Sequence, residues 1–538
     1  MKLRVLIPSL MVLVLANVLV QHRVVRWDMT DDKRYSLSEQ TKTLLQQLTD
    51  DVDVTLYLQG DLNSGFTRLR QATEELVGEM DVYAQVPVRL SISEDVPQGQ
   101  TPTVIHERTR KGQTAQTTVY PYASVSYKGK SSVVSLLRNN RGLSGEENLN
   151  LSVENLEFAF VEALRGLTLT KVEKIAFLEG HDELPEENVY DLSQALSRYY
   201  QIDRGTLGTE TGVLDEYKVV IIADPQRPFS DEDKYILDQY LMQGGHLLWV
   251  LNGVRFSSDN LSAQGTTPVM PLDLNVTDML FRYGVRVNSV LVQDMQCLPV
   301  PVDVSADPEN PNWQPMSWTY APLLLTSQAS PITRNLMQVS ATMASSLDLV
   351  GGEDGLHKEI LLATSSASRI TKTPAEVDLS FSEDDSADYP YSYVPVAAVV
   401  EGVFSSLYAY QMPPETIMPH AATKKESVPT KQIVVAAGSV IRNEWQQGRP
   451  VPLGYDRYTR TQFGNRDFLV NAVLYLADDS GWMSLRQKEV TMRLINDQRA
   501  RDQRITAQVT SMVIPLMLLA LTGGIVFGVR KQRYTKQQ

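Results

Sequence analysis

The sequence predicts an α/β protein, with a smaller and a larger folded domain set between two apolar terminal segments. Three observations carry that reading. Short uninterrupted apolar runs around Ile175–Leu178, Val219–Ile222 and Leu247–Leu251 alternate with helical patterns, as strands buried on both faces of a parallel sheet do. Earlier in the chain a β-α-β pattern precedes a hairpin signal at Lys128-Gly129-Lys130. Each end also carries a charge-free stretch, Val5–Val20 and Val509–Val529.

The 538 residues carry 43% hydrophobic and 21% charged side chains, enough to build several cores and too apolar for a disordered chain. A formal net charge of −14, with no basic block in the middle, argues against a nucleic-acid partner. The single cysteine, Cys297, excludes an internal disulfide. It lies in Gln296-Cys-Leu-Pro299, away from any strand-to-helix elbow, and reads as a small buried hydrophobe.

Taken in order, residues 1–33 read as an anchor and first segment. Lys2 and Arg4 precede the first apolar run, and Arg23 and Arg26 follow it. No small-x-small site closes the run, which favours an uncleaved signal-anchor over a cleaved signal peptide. Residues 34–150 form the first folded domain. Ser36 and Glu39 have capping-box spacing before the leucine repeat Leu37, Leu44, Leu45 and Leu48. A strand at Asp53–Leu58, a helix at Phe66–Tyr83, a strand at Val86–Ile92 and a hairpin over residues 118–137 follow. That order is thioredoxin-like, but the cysteine pair of redox chemistry is missing, so the domain reads as a scaffold or binding module.

Residues 151–483 form the larger α/β domain. A polar loop over 138–150 leads into a bridging helix with Val153, Leu156, Phe160, Leu164 and Leu167 on one face. Strand-helix repetition from Lys174 to Leu251 implies a parallel sheet with right-handed crossovers. Ser230 and Asp233 start one of its helices, and Gly244-Gly245 caps its end. Residues 299–331 are Pro-rich and read as a long excursion, with acidic and Pro/Lys-rich loops at 374–390 and 412–430. Trp313 and Trp318 read as exposed aromatics. Further buried strands are expected at Lys358–Ala363, Val394–Val400 and Gln432–Ala437, and a helix at Asn465–Ala477. Residues 484–508 form a charged juxtamembrane helix, either a stalk or a helix laid flat on the body.

Residues 509–538 read as a transmembrane helix with a basic tail, Arg530, Lys531 and Arg533, at a length that suits the roughly 20 residues of a span. Ala520, Gly524 and Gly528 fall at i, i+4 and i+8 and form one smooth ridge. Either this is a plain anchor or the ridge is a helix-packing interface. Two spans place the termini on one side. The short basic segment before the first apolar run resembles an export signal, which puts both termini in the cytoplasm and the large body in the periplasm of a bacterial inner-membrane protein.

One cluster has the residue types for chemistry. Glu179, His181, Asp182 and Glu183 sit at the carboxyl end of the first parallel strand, where open α/β sheets bind ligands. They read first as a solvated acidic turn, and alternatively as a pocket for a periplasmic glycan or peptide, with His181 as base or ligand. No metal-binding H-E-x-x-H spacing occurs, since His106-Glu-Arg-Thr-Arg110 ends in Arg. The sequence has no G-x-S-x-G elbow and no phosphate loop, so no catalytic residue, cofactor or nucleotide site is assigned.

Several passages resemble one family. Arg26-Trp-Asp-Met-Thr-Asp-Asp-Lys-Arg-Tyr-Ser-Leu-Ser38, Lys174-Ile-Ala-Phe-Leu-Glu-Gly-His181 and Asp238-Gln-Tyr-Leu-Met-Gln-Gly-Gly245 are similar to segments of the gliding-motility proteins GldG. So are Gly464-Asn-Arg-Asp-Phe-Leu-Val-Asn-Ala-Val473, Asp478-Asp-Ser-Gly481 and Leu485-Arg-Gln-Lys-Glu-Val490. The resemblance implies a non-enzymatic auxiliary subunit of an ABC-type transporter of Bacteroidota, linked to gliding and protein secretion. It implies a permease and a separate ATPase as partners. It also implies an amidotransferase-like fold for the larger domain, shared with an intraflagellar transport protein. The catalytic cysteine of that fold is missing at the elbow.

Overall fold

A computed structural model describes residues 36–487 and 504–535, apart from internal segments at 109–113, 139, 141–142, 169–171, 304, 306–311, 352–354, 380–387 and 418–421. The first expected span, within residues 1–33, lies outside the described residues.

The chain opens with helix α1 (Glu39–Gln46), but its cap is not the expected one. Ser38, not Ser36, accepts from the Thr41 backbone. The buried Glu157 carboxylate decides this shift, accepting from the Ser38 N–H at 2.8 Å and the Thr41 hydroxyl at 2.7 Å. Strands β1 (Val52–Leu56) and β2 (Val88–Ile92) pair in parallel, joined by α2 (Ser64–Tyr83). A separate hairpin, β3 (Thr103–Arg108) and β4 (Thr114–Val119), precedes β5 (Tyr122–Tyr127) and β6 (Lys130–Ser135). The last two turn at Lys128-Gly129 and complete a four-stranded sheet in the order β2-β1-β5-β6. Both turn residues have positive φ, which a tight two-residue hairpin demands.

Helix α3 (Gly145–Thr168) starts inside the stretch expected to be a loop. Ser144 and Glu147 cap it reciprocally. It buries Leu156, Phe158, Phe160, Val161 and Leu164 in one core continuous with both the first sheet and the next one. Each such side chain contributes about 1.5–3 kcal/mol, so the two sheets do not behave as independent bodies.

Next come β7 (Glu173–Glu179), α4 (Tyr190–Leu196), β8 (Tyr200–Thr206), β9 (Tyr217–Ala223), α5 (Asp231–Met242) and β10 (His246–Val250). Beyond them lie β11 (Val254–Arg255), α6 (Ser258–Gln264), β12 (Thr266–Pro271), α7 (Thr277–Arg282), β13 (Val285–Val287) and β14 (Val290–Asp294). A hairpin arm follows, β15 (Cys297–Asp303) with β16 (Trp313–Thr326), then short β17 (Val339–Ser340) and β18 (Leu347–Leu349). Strands β19 (His357–Ala363), β20 (Ser368–Lys372), β21 (Ala375–Asp378), β22 (Pro395–Gly402) and β23 (Thr430–Val435) lead to helix α8 (Asn465–Leu476).

The main sheet runs β15-β16-β19-β22-β23-β10-β9-β7-β8. Its strands alternate between two cores, as the pleat requires. Phe177, Ile221 and Leu248 face one core, and Leu178, Ile222 and Trp249 face the other.

Three expectations are corrected here. The sheet is parallel only from β8 to β23; β22 runs antiparallel to β23 and β19 antiparallel to β22. A strand covered on both faces is apolar throughout whichever way its neighbour runs, so local sequence carries no direction. The Pro-rich excursion is largely the hairpin of β15 and the long strand β16, and Trp318 is buried against the small core it covers.

The third correction concerns the flanking transmembrane helices. Among the described residues no helix is long and apolar enough to cross a membrane. Helix α9 (Arg504–Thr535) belongs to a separate unit and contains Pro515. The thioredoxin-like and amidotransferase-like pair of domains flanked by spans is therefore replaced by a mixed α/β body with several sheets. The two-span inner-membrane topology with a periplasmic body goes with it.

Candidate functional site

In the parallel part of the sheet the chain steps outward from β7 to β8, then returns to the other side of β7 to lay down β9. The carboxyl ends of β7 and β9 thus flank the point where strand order reverses, the usual ligand crevice of such sheets. Here it is filled by the chain itself. The His181 carbonyl accepts from the Gln226 N–H at 2.8 Å and the Arg227 N–H at 3.0 Å, and Leu184 N–H donates to the Ala223 carbonyl at 2.9 Å. Gly180 (φ 123°), Asp182 (φ 54°) and Asp224 (φ 54°) supply the left-handed turns that fold both strand ends over the crevice.

His181 is buried at the centre. Its Nδ1 lies 3.0 Å from Glu183 Oε1, its Nε2 lies 3.2 Å from Asp233 Oδ2, and its ring stacks on Phe229 at 3.7 Å. Burial pulls the imidazole pKa down, but the hydrogen bonds and charges of Asp233 and Glu183 outweigh it and hold the ring protonated up to about 9. Asp233 closes the capping box of α5, its carboxylate also accepting from the Ser230 hydroxyl at 2.6 Å. The imidazolium therefore clamps the turn after β7 to the first turn of α5, at the end of the helix where a carboxylate is favoured.

The other cluster members have partners too. Glu179 pairs with Arg204 at 2.7 Å, and Arg204 also donates to the Leu184 carbonyl. Asp182 pairs with Arg227 at 2.5 Å, both largely exposed. The structure thus brings Glu179, His181, Asp182 and Glu183 to one strand end, with each side chain engaged within the chain. Among the described residues no group of His, Cys, Asp or Glu could hold a metal ion.

A second polar knot lies one strand further on. Buried Asp224, after β9, accepts from Asn252 after β10 at 2.9 Å, from Arg442 at 3.0 Å and from Gln226 at 3.1 Å. Burial raises its carboxyl pKa above the ordinary value, against the pull of Arg442. Asn252 in turn accepts from the Gly438 N–H at 2.9 Å, so the ends of three adjacent strands are tied together. A Cβ on Gly438 would sit 2.0 Å from Asp224 Oδ1, so only glycine admits this approach. Sequence reasoning missed the knot; its local signals were Asp224 directly after β9 and Asn252 two residues after β10.

Residues in the passages singled out by resemblance likewise hold structure. Asp238, fully buried in α5, accepts from Tyr283, Ser406, Gln239 and the Leu407 N–H at 2.6–2.8 Å. Asn465 bonds both Ser340 and Val440, and Asp478 collects the N–H groups of Ser480, Gly481 and Met483. The family described as "ABC-type uncharacterized transport system" matches residues 173–472, more than half of the chain. The chain belongs to that family.

As an auxiliary member of this ABC-type transport family it has an accessory role in an ABC transporter. A domain of unknown function, DUF7088, matches residues 31–126. No curated protein matches the chain. Solved structures show only distant likeness. The mmIFT52 N-terminal domain is 14% identical over 60% of this chain and 100% of that one, with a TM-score of 0.33. A thuA-like protein of Parabacteroides merdae is 10% identical over 61% and 94%, with a TM-score of 0.28.

Proposed function

We propose that this chain is a non-catalytic auxiliary subunit that links a rigid folded body to the permease of an ABC-type transport system, with a separate subunit supplying ATP hydrolysis. The resemblance to the gliding-motility proteins adds gliding and protein secretion as the process served. The observation that carries the reading is helix α9. Its side chains at Met512, Leu516, Leu519 and Phe527 are each 65–72% exposed, so a large apolar surface waits for a covering partner. Ala520, Gly524 and Gly528 form the smooth ridge on which a partner helix would seat, since nothing within 4 Å of Gly524 or Gly528 occupies the space of a side chain. The closed crevice at His181 fits the same role, because its polar groups brace strand ends and leave none free to attack a substrate.

The test is co-purification of the full-length chain with the permease and ATPase of its transport system. Gly524→Leu with Gly528→Leu adds bulk where the chain itself has space, so folding should be unaffected and partner recovery should fall about tenfold. Undiminished recovery removes the ridge from the interface.

A further inference from the structure

Away from the sheet edge, a cavity of about 440 Å³ opens between β13, β18, β14, β20 and the segment leading into β22. Its volume falls in the range of small-molecule sites. Tyr391 and Tyr393 stand at it, 49% and 60% exposed, so each offers part of its ring to solvent. Tyr393 adopts a left-handed backbone (φ 53°), a conformation strained for any residue with a side chain.

The backbone beneath the two rings is fixed. Tyr391 and Ser368 exchange backbone hydrogen bonds at 2.8 and 3.0 Å, the Ser392 hydroxyl donates to the Ser366 carbonyl, and the Tyr393 N–H donates to the Ser365 carbonyl. Ser365 is anchored by the fully buried Asp294, which accepts from its N–H and its hydroxyl at 2.5 Å. The two rings are thus displayed from a rigid support, which lowers the ordering cost of any ligand that stacks on them.

The polar side of the cavity fixes the ligand's chemistry. Arg286 lies 2.5 Å from Asp348, and the Asn288 amide donates to Asp348 and to Ser346, both at 3.1 Å. The one cation is neutralised by the one anion, so the cavity has no net charge with which to hold an anionic or cationic ligand. What remains is a set of guanidinium donors with acceptors beside them: a second carboxylate oxygen, an amide oxygen and the Ser392 hydroxyl oxygen, whose own proton goes to the Ser366 carbonyl. Such a set matches vicinal hydroxyls, each of which donates and accepts, while an exposed aromatic face matches the C–H face of a pyranose ring.

We infer that this cavity binds a neutral saccharide of about disaccharide size, stacked on Tyr391 and Tyr393 and hydrogen-bonded by Arg286, Asp348 and Asn288. The inference stands apart from the subunit role, because it uses other residues and no partner protein.

The experiment is ligand-observed saturation-transfer NMR, followed by calorimetric titration, on the purified full-length chain. The probes are maltose, cellobiose and diacetylchitobiose, with a sulfated heparin disaccharide as the anionic control. At least one neutral sugar should bind at millimolar concentration or below. Tyr393→Gly, which relaxes the left-handed backbone and so does not threaten folding, should weaken that binding at least tenfold with an unchanged Tm. Tyr391→Phe, which keeps the ring, should retain it. No transfer from any neutral sugar overturns the inference; so does binding indifferent to Tyr393→Gly, or tighter binding of the sulfated control.

Discussion

Replacing His181 by Gln tests whether the closed crevice is held by charge. The ring is buried between Glu183 and Asp233, and its pKa is raised from 6.5 to about 9. At about 1.4 kcal/mol per pH unit that difference corresponds to about 3 kcal/mol of folding stability. The folded pKa lies above the unfolded one, so the stabilisation is complete below pH 6.5 and lost as pH rises through about 9. Gln keeps two hydrogen-bonding arms and most of the volume but cannot carry the charge. Urea unfolding of both proteins at about pH 6, 7.5 and 10 gives the wild-type advantage at each pH. We expect about 3 kcal/mol at the lowest value, roughly half that in the middle and little at the highest. A gap that stays constant across the range would refute the imidazolium clamp and leave only packing against Phe229. At the acid end, burial opposes ionisation of Asp233 but the His181 hydrogen bond prevails and lowers its pKa. Its contribution is therefore present above pH 3.8 and fails only as pH falls below that value.

Two further substitutions test the knots that tie the elements together. Gly438→Ala drives a methyl group into the Asp224 carboxylate and the Asn252 amide. It should lower stability by about 1–3 kcal/mol in urea unfolding, whereas Gly448→Ala, in a β-turn open to solvent, tests only backbone strain. Asp238→Ala removes the shared acceptor of Tyr283, Ser406 and Leu407 and strands buried donors. A loss of at least about 2 kcal/mol is expected, with faster proteolysis in the 405–417 loop; an unchanged cleavage pattern would show that Asp238 does not hold that loop.

Much of the architecture was legible in the residues because it is local. The parallel strands at 173–179, 217–223 and 246–250 announce themselves as apolar runs, and α5 by Ser230 and Asp233 at its start. Lys128-Gly129 gave the hairpin for the same reason, since a two-residue turn has few allowed backbones. The four acidic and imidazole groups after β7 were legible as a cluster. Their pairing was not, because Asp233 is 52 residues from His181 and Arg204 is 25 from Glu179. The cap of α1 shifted from Ser36 to Ser38 because Glu157, from a distant helix, supplies the acceptor.

The charge-free C-terminal stretch shows the same division. The sequence alone determined that it forms a helix, that it is apolar, and that Ala520, Gly524 and Gly528 share a face, since all three follow from composition and the helical repeat. The span expected from its length is corrected by the structure, where no helix among the described residues is long and apolar enough to cross a membrane. Strand direction across the main sheet, the closure of the crevice by Gln226 and Arg227, and the Tyr391–Tyr393 cavity were likewise decided only in three dimensions. Each depends on groups brought together from far apart in the chain, and a hydrogen bond or an ion pair leaves no periodic mark on the residues that will make it.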